Sequence, residues 1–496
     1  MNNGVWKNGY ARLAGRATVG FCALIQLTSV AAVVRAQSPL NTRLSATLSS
    51  LPHSQTIATA CVIDIKSGQT VFSSNADRAL IPASAMKIFT MVTSLVELGA
   101  DFAFETLLAT DGGNLYVIGD GDPGLGDARL HDALNEEIVA PFERWAQRLI
   151  ARGMTNVPGD LIIDESIFED LQLHPSWEPS DLGKWYAAAV GALNFNDNCV
   201  DITINPAQER GGPAEISFVP ETTLVNVINK CRSGGKGTPK LHHPFGTNEY
   251  RISGPCDKRW PFGPVAFPDP GMLFADTLRT VLSRNGITLA GTIKRDRLRQ
   301  RNGKLPDDTT IVATHRTPIA AVLSRAGKNS QNLFAECLLK RSGYAWAKRR
   351  GATDPRGGWA NGARAVVDAI QGARIDTAGL VVADGSGLSR DNRCTARQLA
   401  SLLAWSHNQE FGPLFHSSLA TAGVDGSLRK RLKSSGGRVH AKTGTMRGVR
   451  ALAGFVDSSD GPRFAFAIMF NGYNGSSTPY KEIQDRFCRV LLDAAK

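Results

Sequence analysis

The segment from Pro82 to Gly99 constrains the fold more than any other stretch of the sequence. Its apolar residues recur at helical spacing around most of the helix circumference: Ala85, Ile88, Phe89, Val92, Leu95 and Val96. A helix that is apolar on nearly all sides must be buried among other elements. Pro82 suits the first turn of a helix, and Gly99 suits the residue after its end. The sequence therefore predicts a buried core helix over this segment.

A serine and a lysine lie at the start of this predicted helix. Ser84 and Lys87 are three residues apart, so their side chains are neighbours on one helix face. A serine in the first turn also lies in the positive field of the helix N-terminus. This arrangement is typical of a serine nucleophile that an adjacent base activates. The alternative is that Ser84 is an ordinary helix N-cap.

The Ser-x-x-Lys spacing is weak evidence by itself, because it occurs twice more. Ser233 and Lys236 lie in a Gly-rich basic segment that predicts a flexible loop. Ser427 and Lys430 open the basic sequence Leu-Arg-Lys-Arg-Leu-Lys, which is typical of a solvated face. Of the three serines, Ser84 alone enters an apolar helix. It is therefore the candidate nucleophile.

The first 36 residues have the pattern of a secretory signal peptide. Three basic residues precede an apolar stretch from residue 17 to 34, and the small residue Ala36 ends the segment. The sequence predicts export to the periplasm with cleavage after Ala36. Arg35 beside the predicted cleavage point leaves an uncleaved anchor as the alternative, although polar residues inside the apolar stretch make it a poor membrane span.

The charge of the chain excludes few partners. The net charge of the whole chain is +11, and residues 1–36 carry four basic and no acidic side chains, so the mature chain carries +7. An anionic partner is compatible with this charge, but a basic surface usually serves solubility. No nucleic-acid-binding motif is present, and no nucleic-acid partner is predicted. No later segment is apolar enough to span a bilayer, so membrane association is not expected after cleavage.

The cysteines lack the spacing of a metal site or a redox motif. Seven follow residue 36: Cys61, Cys199, Cys231, Cys256, Cys337, Cys394 and Cys488. The surrounding patterns predict Cys61 as a buried thiol in a strand, and Cys337 and Cys488 as buried thiols in helices. Cys231 and Cys256 flank a loop-rich segment and are the predicted disulfide pair in an oxidising compartment.

Strand and helix patterns divide the chain into a catalytic part and an insertion. Residues 59–73 predict a β-hairpin before the Ser84 helix. After Gly99 the pattern changes to short strands with Gly, Pro and Asp turns, until a helix over 272–284. A helical pattern resumes at Thr317, pauses at 327–332 and continues beyond. Asp120 and Asp122 resemble the start of a calcium loop, but Leu125 stands where glycine is required, so no metal site and no cofactor are predicted.

The C-terminal part predicts an antiparallel sheet. Its strand patterns lie at residues 439–442, 451–456 and 463–470, and a terminal helix has Ile483, Phe487 and Leu491 on one face. These patterns predict an α/β (α+β) fold with an antiparallel sheet covered by helices. We predict that residues 37–104 and 311–496 form one discontinuous catalytic domain. Residues 105–310 are then an inserted β-rich module of two subdomains.

Three motifs occur in one order along the chain, each in a matching structural context. They are Ser84-x-x-Lys87 on a helix, Ser330-Gln331-Asn332 between two helices, and Lys442-Thr443-Gly444-Thr445 on a strand. Together they resemble the active site of the penicillin-binding proteins and serine β-lactamases. That resemblance implies a penicillin-binding/β-lactamase-like transpeptidase domain.

The resemblance is strongest to the class C low-molecular-mass penicillin-binding proteins, the D-alanyl-D-alanine carboxypeptidase/endopeptidases. Those enzymes carry a long insertion between the first two motifs, and 246 positions separate Ser84 from Ser330 here. Similar segments include Gly121-Asp-Pro-Gly-Leu, Trp185-Tyr-Ala, Asn196-Asp-Asn198 and Asp384-Gly-Ser-Gly-Leu-Ser-Arg390. Gln331 stands where an aspartate is common, at a position that varies among relatives.

The resemblance implies a role for each motif residue. Ser84 would attack the substrate carbonyl, and Ser330 would relay a proton to the leaving amine. Asn332 would bind the substrate peptide or orient Lys87. Lys442 and Thr443 would bind the carboxylate of the substrate. The backbone N–H groups of Ser84 and Thr445 would bind the oxyanion.

Lys87 can act as a base only when it is neutral. A free lysine has a pKa of ~10.4, so burial and the positive charge of Lys442 would have to lower the pKa of Lys87 by about three units. Asp164 and Arg390 lie in segments that, in similar enzymes, bind the two ends of a diaminopimelate side chain. The alternative for these two is a turn aspartate and a surface arginine. A serine–lysine site needs no imidazole, so we expect His440 to be structural.

The implied function is a serine DD-peptidase that needs no cofactor. It would cleave D-Ala-D-Ala ends, or D-alanyl-diaminopimelate cross-links, of peptidoglycan through a Ser84 acyl-enzyme, and β-lactams would inhibit it. A β-lactamase or esterase on the same scaffold is one alternative, but a compact β-lactamase would not need the insertion. A catalytically silent cell-wall-binding protein is another, but none of the three motifs is missing. No Glu-x-x-Leu-Asn segment supplies a deacylating glutamate, so slow release of penicillin is expected.

Overall fold

The computed structural model describes residues 39–49, 51–244 and 246–496. The predicted signal peptide, residues 1–36, lies outside the described residues. The α-helices are α1 (Pro39–Leu48), α2 (Lys87–Leu98), α3 (Ala128–Leu134), α4 (Ala140–Ile150), α5 (Pro270–Arg284), α6 (Ile319–Lys328), α7 (Asn332–Arg349), α8 (Trp359–Gly372), α9 (Ala396–His407), α10 (Gly412–Ser418) and α11 (Thr478–Ala494). Among these residues, none of the helices has the length and apolar character to cross a membrane.

The strands of the first half are β1 (Ile57–Asp64), β2 (Thr70–Ser74), β3 (Ala103–Thr110), β4 (Leu115–Ile118), β5 (Asn156–Val157), β6 (Leu161–Asp164), β7 (Cys199–Asn205), β8 (Glu215–Val219), β9 (Asn226–Ser233) and β10 (Lys240–His242). Those of the second half are β11 (Glu249–Cys256), β12 (Trp260–Ala266), β13 (Thr288–Leu289), β14 (Ile293–Arg295), β15 (Thr310–Pro318), β16 (Ala420–Thr421), β17 (Val439–Met446), β18 (Val449–Ser458) and β19 (Gly461–Asn471). Short 3-10 turns lie at Ala83–Met86, Trp185–Ala187, Asn196–Asn198, Gly426–Leu428 and Lys433–Ser435.

One antiparallel sheet joins the two ends of the described chain. Its strand order is β16-β17-β18-β19-β1-β2, so the N-terminal hairpin pairs with a C-terminal meander. The predicted hairpin and the three predicted C-terminal strands are all present. Strands β18 and β19 are buried along most of their length, because helices pack against both faces of the sheet. This arrangement agrees with the predicted α/β fold.

The alternation along β19 shows how the two faces are filled. Phe464, Phe466 and Phe470 lie in the core cluster that includes residues of α11. Ala465 and Ala467 lie in the other cluster, with residues of α2, α6, α7 and α9. Successive strand residues point to opposite faces, so large side chains fill one layer and small ones let the helices approach closely in the other.

The residues between α2 and α6 form four other sheets. A mixed five-stranded sheet has the order β14-β6-β4-β3-β15 and packs against α4 and α5. Two three-stranded sheets, β10-β11-β9 and β12-β7-β8, share a second core. Strands β3 and β15 pair with each other, from Ala103 opposite Pro318 to Thr110 opposite Thr310. Both strands therefore belong to the inserted sheet.

The cysteine prediction was partly wrong. The seven cysteines after residue 36 are buried free thiols, so the predicted disulfide between Cys231 and Cys256 is absent from the part of the chain that the structure describes. On the parallel strands β9 and β11, Cys231 lies opposite Gly254, and Cys256 lies opposite Ser233. The two cysteines are therefore offset by two residues, and their thiols are neighbours without a bond between them.

Of the two other Ser-x-x-Lys serines, Ser233 lies in different surroundings from those predicted, whereas Ser427 is exposed as predicted. Ser233 ends strand β9 and is buried, with its hydroxyl accepting the Ala207 N–H at 2.8 Å, so it is not in a flexible loop. Ser427 is exposed, but it lies in the 3-10 turn Gly426–Leu428, and its hydroxyl accepts a hydrogen bond from Thr443. The predicted solvated face at Ser427 therefore adjoins the Lys442 strand.

Candidate active site

Ser84 lies in a tight turn that directly precedes the core helix. The segment Ala83–Met86 is a 3-10 turn, and α2 begins at Lys87. Ala83 has a φ of 46°, in the left-handed region that is rare for a residue with a side chain. The turn places the Lys87 Nζ atom 3.1 Å from the Ser84 Oγ atom. The predicted side-chain neighbours are therefore in hydrogen-bonding contact.

Lys87 is fully buried, and its amino group has three polar contacts. Besides Ser84, the Nζ atom contacts the Asn332 Oδ1 atom at 2.6 Å and the Ser386 carbonyl oxygen at 2.8 Å. A neutral amine has two N–H donors and one lone pair. Donation to Asn332 and Ser386 uses both donors, so the lone pair is left facing the Ser84 hydroxyl.

Burial favours this neutral form of Lys87. It lowers the pKa of the Lys87 amine from 10.5 to about 7, while the charges of Glu336 and Asp384 act in the opposite direction. The direction and size of this shift agree with what a general base at neutral pH requires. Burial is the largest cause of this lowering, and the repulsion between the two lysines is expressed in the lowered pKa of Lys442.

The second motif lies in the short loop between α6 and α7. Ser330 has a φ of 60°, and Asn332 is the first residue of α7. The Asn332 amide donates to the Tyr186 carbonyl oxygen at 2.7 Å while its Oδ1 atom accepts from Lys87. The side chain of Asn332 therefore joins Lys87 to the 3-10 turn Trp185–Ala187.

Gln331, the departure from the common aspartate, has a structural role in the same loop. Its Oε1 atom accepts the Asn332 N–H at 2.8 Å, and its Nε2 atom donates to the Asp197 carboxylate at 2.7 Å. Asp197 lies in a 3-10 turn of three left-handed residues, and it also contacts Arg325. Gln331 thus caps α7 and joins it to the Asn196-Asp-Asn198 segment.

The third motif places a second buried lysine beside the first. Lys442 on β17 is fully buried, and its Nζ atom donates to the Ser330 Oγ atom at 2.8 Å and to the Thr443 carbonyl oxygen at 2.9 Å. Burial lowers the pKa of Lys442 well below its usual value, and the positive charge of Lys87 lowers it further. The permanent positive charge expected for Lys442 is therefore not favoured while no anion is bound.

Two glycines allow the motif segments to meet around the Ser84 turn. A Cβ atom on Gly444 would lie 2.5 Å from the Pro82 carbonyl oxygen and 3.2 Å from the Ala85 nitrogen. A Cβ atom on Gly387 would overlap the Ala83 carbonyl oxygen, and Gly387 also has a φ of 80°. Strand β17 and the Asp384–Arg390 segment can contact the turn only because these positions lack side chains.

The Thr443 and Thr445 hydroxyls both have side-chain partners. The Thr443 hydroxyl contacts Ser427 at 2.9 Å, and the Thr445 hydroxyl accepts from Arg450 at 2.6 Å. Strand β16 pairs with β17 at His440 and Ala441 only. Beyond that point, no strand of the described residues pairs with this edge of β17, and the 3-10 turn Gly426–Leu428 contacts Thr443 there.

Three contributors to the site had no prediction from the sequence. They are the Ser386 and Tyr186 carbonyl oxygens and the Glu336 carboxylate. Glu336 is fully buried, and it accepts the Gly385 and Ser386 N–H groups at 3.0 and 2.8 Å. Burial raises the pKa of Glu336, and the neighbouring Asp384 raises it further. In the sequence, the only indication of this role was that Glu336 lies one helical turn after Asn332, on the same helix face.

Asp164 and Arg390 lie in unlike surroundings. Asp164 is buried, and its carboxylate accepts three backbone N–H groups, those of Ser166, Leu298 and Arg299. Because these three N–H groups already occupy the Asp164 carboxylate, it matches the turn aspartate that was the alternative. We therefore do not include Asp164 in the proposed substrate site. Arg390 is half-buried and donates to the Arg447 carbonyl oxygen at 3.2 Å, close to the end of the Lys442 strand.

The arrangement can perform acyl transfer at Ser84. The structure brings together Ser84, Lys87, Ser330, Asn332 and Lys442, which come from three distant parts of the chain. A hydroxyl nucleophile, a neutral amine to accept its proton, and a second hydroxyl held by a second amine are the groups that such a reaction requires.

Comparison with known proteins places this site in context. Residues 40–491 match the model of the D-Ala-D-Ala carboxypeptidase 3 (S13) family. The chain is similar to a D-alanyl-D-alanine carboxypeptidase from Actinomadura sp. (strain R39), with 32% identity over 444 residues that cover 84% of this chain and 77% of the relative. Its structure is similar to the crystal structure of penicillin binding protein 4 (dacB) from Haemophilus influenzae. That match has a TM-score of 0.72 and 25% identity, and it covers 91% of this chain and 98% of the other.

A second crystal structure of the Haemophilus influenzae protein, complexed with a β-lactam, is also similar. Its TM-score is 0.68 at 24% identity, over 91% of this chain and 98% of that chain. These matches extend over nearly all of the described chain, including the inserted sheets. The predicted fold class, with its penicillin-binding type of domain, is confirmed.

Proposed function

Because the chain belongs to the D-Ala-D-Ala carboxypeptidase 3 (S13) family, we propose that it acts as a serine DD-peptidase through an acyl-enzyme on Ser84. Its substrates are the D-Ala-D-Ala ends of peptidoglycan stem peptides, and D-alanyl-diaminopimelate cross-links fit the same chemistry. The observation that carries the role of Ser84 is the position of the Lys87 amino group, which is buried with its Nζ atom 3.1 Å from the Ser84 Oγ atom and in contact with Asn332 and Ser386 as well.

Acylation begins when the Ser84 hydroxyl gives its proton to the Lys87 lone pair. The Ser84 oxygen then attacks the carbonyl carbon of the penultimate D-alanine. Backbone N–H groups of Ser84 and Thr445 stabilise the negative charge on the carbonyl oxygen. Arg450, which contacts the Thr445 hydroxyl, holds that end of the strand in place.

Collapse of the tetrahedral intermediate breaks the peptide bond and releases the terminal D-alanine. The departing amine takes a proton from the Ser330 hydroxyl, and the Lys442 amine, 2.8 Å away, replaces that proton. Lys442 and Thr443 bind the terminal carboxylate of the substrate, and Ser427, in contact with Thr443, adjoins this position. Lys87 then loses the proton it took from Ser84, and Lys442 regains one, both by exchange with solvent. Water hydrolyses the acyl-enzyme, with the neutral Lys87 amine as the base.

Arg390 is the candidate for recognition further along the substrate. Its guanidinium lies at the open end of β17, where it contacts the Arg447 backbone. A bound stem peptide with a side-chain carboxylate would offer it a bidentate partner. We retain Arg390 as a substrate-binding residue on this ground.

The proposed location is the periplasm, after cleavage of a signal peptide at residues 1–36. The cell-wall substrate requires an exported enzyme, and the N-terminal sequence pattern supports export.

Acylation by a penicillin tests the choice of nucleophile. Intact-mass analysis after incubation with benzylpenicillin should show one adduct per chain, and peptide mapping should place it on Ser84. The Ser84→Ala variant should show none. An adduct on Ser233 or Ser427, or no adduct, would contradict the proposed site.

Digestion of purified sacculi distinguishes the remaining functions. Loss of terminal D-alanine from monomeric muropeptides would indicate carboxypeptidase activity, and loss of cross-linked dimers would indicate endopeptidase activity. A β-lactamase would instead release hydrolysed penicillin at many turnovers per minute without changing muropeptides. A silent binding protein would be acylated slowly or not at all and would leave the sacculi intact.

A further inference from the structure

Two histidines and an aspartate form a cluster next to the Lys442 strand that the peptidase mechanism does not use. His416 is in the last turn of α10, His440 is the second residue of β17, and Asp457 is near the end of β18. One ligand atom from each residue lies within 4.8 Å of the other two. The three side chains are 15–19% exposed, so solvent reaches them.

One carboxylate oxygen lies between the two imidazoles. The Asp457 Oδ2 atom is 3.3 Å from the His416 Nε2 atom and 3.4 Å from the His440 Nε2 atom. A charge-assisted N–H···O hydrogen bond is shorter, about 2.7–2.9 Å. Two ligands at the ordinary zinc bond length of ~2.0–2.1 Å, placed at two corners of a tetrahedron, are about 3.3–3.4 Å apart. The His416 Nε2 atom is also 3.3 Å from the Asp457 Oδ1 atom, a long hydrogen bond. The spacing of the cluster also fits a tetrahedral metal between the three side chains.

The Nδ1 atom of His440, on the side of the ring away from Asp457, has the kind of hydrogen-bond partner that metal-bound histidines have. This atom lies 3.2 Å from the Thr421 hydroxyl, which can accept an Nδ1–H and so leave the Nε2 lone pair free for a metal. The other nearby charges, Lys328 and Asp425, pair with each other at 2.7 Å.

We propose that His416, His440 and Asp457 bind a divalent first-row transition metal of the zinc type, with water in the fourth position. Two imidazoles and one carboxylate are a ligand set that zinc accepts, whereas calcium and magnesium prefer all-oxygen sites. The metal would join α10 to β17 and β18. His440 is two residues from Lys442 on the same strand face, so the metal would stabilise the strand that carries the third motif.

Metal titration of the purified, untagged, chelator-treated protein tests this proposal. Zn²⁺ binding by calorimetry should show one equivalent, and Co²⁺ should give the strong visible absorption of a tetrahedral site. His416→Gln, His440→Gln and Asp457→Asn should each lower the affinity at least ~10-fold, and Thr421→Val should lower it roughly 10-fold through the outer contact. Zn²⁺ should raise the Tm of the wild-type protein but not that of Asp457→Asn.

His407→Gln is the matched control. His407 is a neighbouring histidine on α9 that contacts Phe455, and it lies outside the ligand set, so its variant should bind metal like the wild type. Stoichiometric penicillin acylation would show that each variant is folded. The proposal is overturned if folded wild-type protein binds no Zn²⁺, if the His416→Gln/His440→Gln double variant binds equally well, or if His407→Gln loses as much affinity as the ligand variants.

Discussion

Lys87 and Lys442 are two fully buried amines in one small site, and their surroundings differ in counter-charge. Lys87 has the carboxylates of Glu336 and Asp384 nearby, which partly oppose the effect of burial on its pKa. Burial and the positive charge of Lys87 both lower the pKa of Lys442, and no carboxylate of the described residues opposes them as Glu336 and Asp384 do at Lys87. A substrate carboxylate would supply that missing negative charge. Substrate binding and protonation of Lys442 are therefore coupled in the proposed mechanism.

The Lys87→Arg variant tests the general base. A guanidinium cannot lose its proton in a protein, so acylation by a fluorescent penicillin should fall by at least ~100-fold at every pH. Stopped-flow acylation measures the rate, and thermal unfolding checks the fold. Acylation at nearly the wild-type rate would show that Ser330 or a water molecule takes the proton from Ser84.

The Lys442 variants should fail in a different way from Lys87→Arg. Lys442→Arg retains a cation for the substrate carboxylate, so it should acylate faster than Lys442→Ala and show part of its loss as weaker binding. Acylation rates over a range of penicillin concentrations separate the two effects. Equal losses in the two Lys442 variants would mean that the charge at this position does not bind the substrate.

The pH dependence of acylation should follow the neutral fraction of Lys87. Because the pKa of Lys87 is lowered to about 7, kcat/KM should rise about tenfold per pH unit below pH 7 and level off above it. The pKa of Glu336 is itself raised to about 7, so this carboxyl is only partly charged where Lys87 titrates, and Glu336→Gln should move the rise slightly to lower pH. The variant should also lose about 1–3 kcal/mol of stability. The Gly385 and Ser386 N–H groups bond to different oxygens of the Glu336 carboxylate, and the amide nitrogen of glutamine cannot accept one of them. If the pH dependence of kcat/KM were unchanged in Glu336→Gln, the charge of Glu336 would not affect the pKa of Lys87.

At the scale of elements, the motif strand and the nucleophile turn contact each other through backbone atoms. Gly444 lies against the Pro82 carbonyl, so the third motif needs a glycine for a steric reason. Gly444→Ala should displace β17 from the turn and slow acylation at least ~10-fold, at a stability cost of about 1–3 kcal/mol. Gly372→Ala is the control, since a Cβ atom there meets nothing within 4 Å. Similar acylation in the two variants would contradict this steric role.

The elements show what the sequence could predict. The spacing of apolar residues correctly predicted α2, the N-terminal hairpin and the last three strands, because one covered face imposes a period of 2 or 3.6. The three motifs identified the five side chains that meet at the site. The carbonyl oxygens of Ser386 and Tyr186 could not be predicted, since any residue has a carbonyl and the contacts span 299 and 146 positions. The missing disulfide depends on a strand register that cysteine spacing does not reveal.

At the scale of the whole molecule, the inserted module contributes to the site as well as enlarging the chain. Asn332 donates to the Tyr186 carbonyl, and Gln331 and Arg325 contact Asp197. We propose that the insertion is residues 103–318 rather than 105–310, because β3 and β15 pair along their whole length. The Ile319 N–H donates to the Phe102 carbonyl at 2.8 Å, so the two ends of the insertion are adjacent.

This adjacency permits a direct test of the role of the insertion. A deletion variant that joins Phe102 to Ile319 through a short Gly-Ser linker keeps every strand of the six-stranded sheet and all three motifs. It should be acylated by penicillin at least ~10-fold more slowly than the full chain, because Asn332 and Gln331 lose their partners. Its stability should also fall, since Phe104, Trp177 and Val190 leave the main core.

The Asp197→Ala variant makes this test decisive if the deletion variant does not fold. It removes the contacts of Asp197 with Gln331 and Arg325 and leaves every sheet in place. It should therefore slow acylation less than the deletion does, by about 3- to 10-fold. Circular dichroism and thermal unfolding identify folded variants, and stopped-flow acylation gives the rates. If both variants were folded and acylated at the wild-type rate, the Ser330 loop would be positioned by α6 and α7 alone. The insertion would then serve substrate recognition outside the catalytic site.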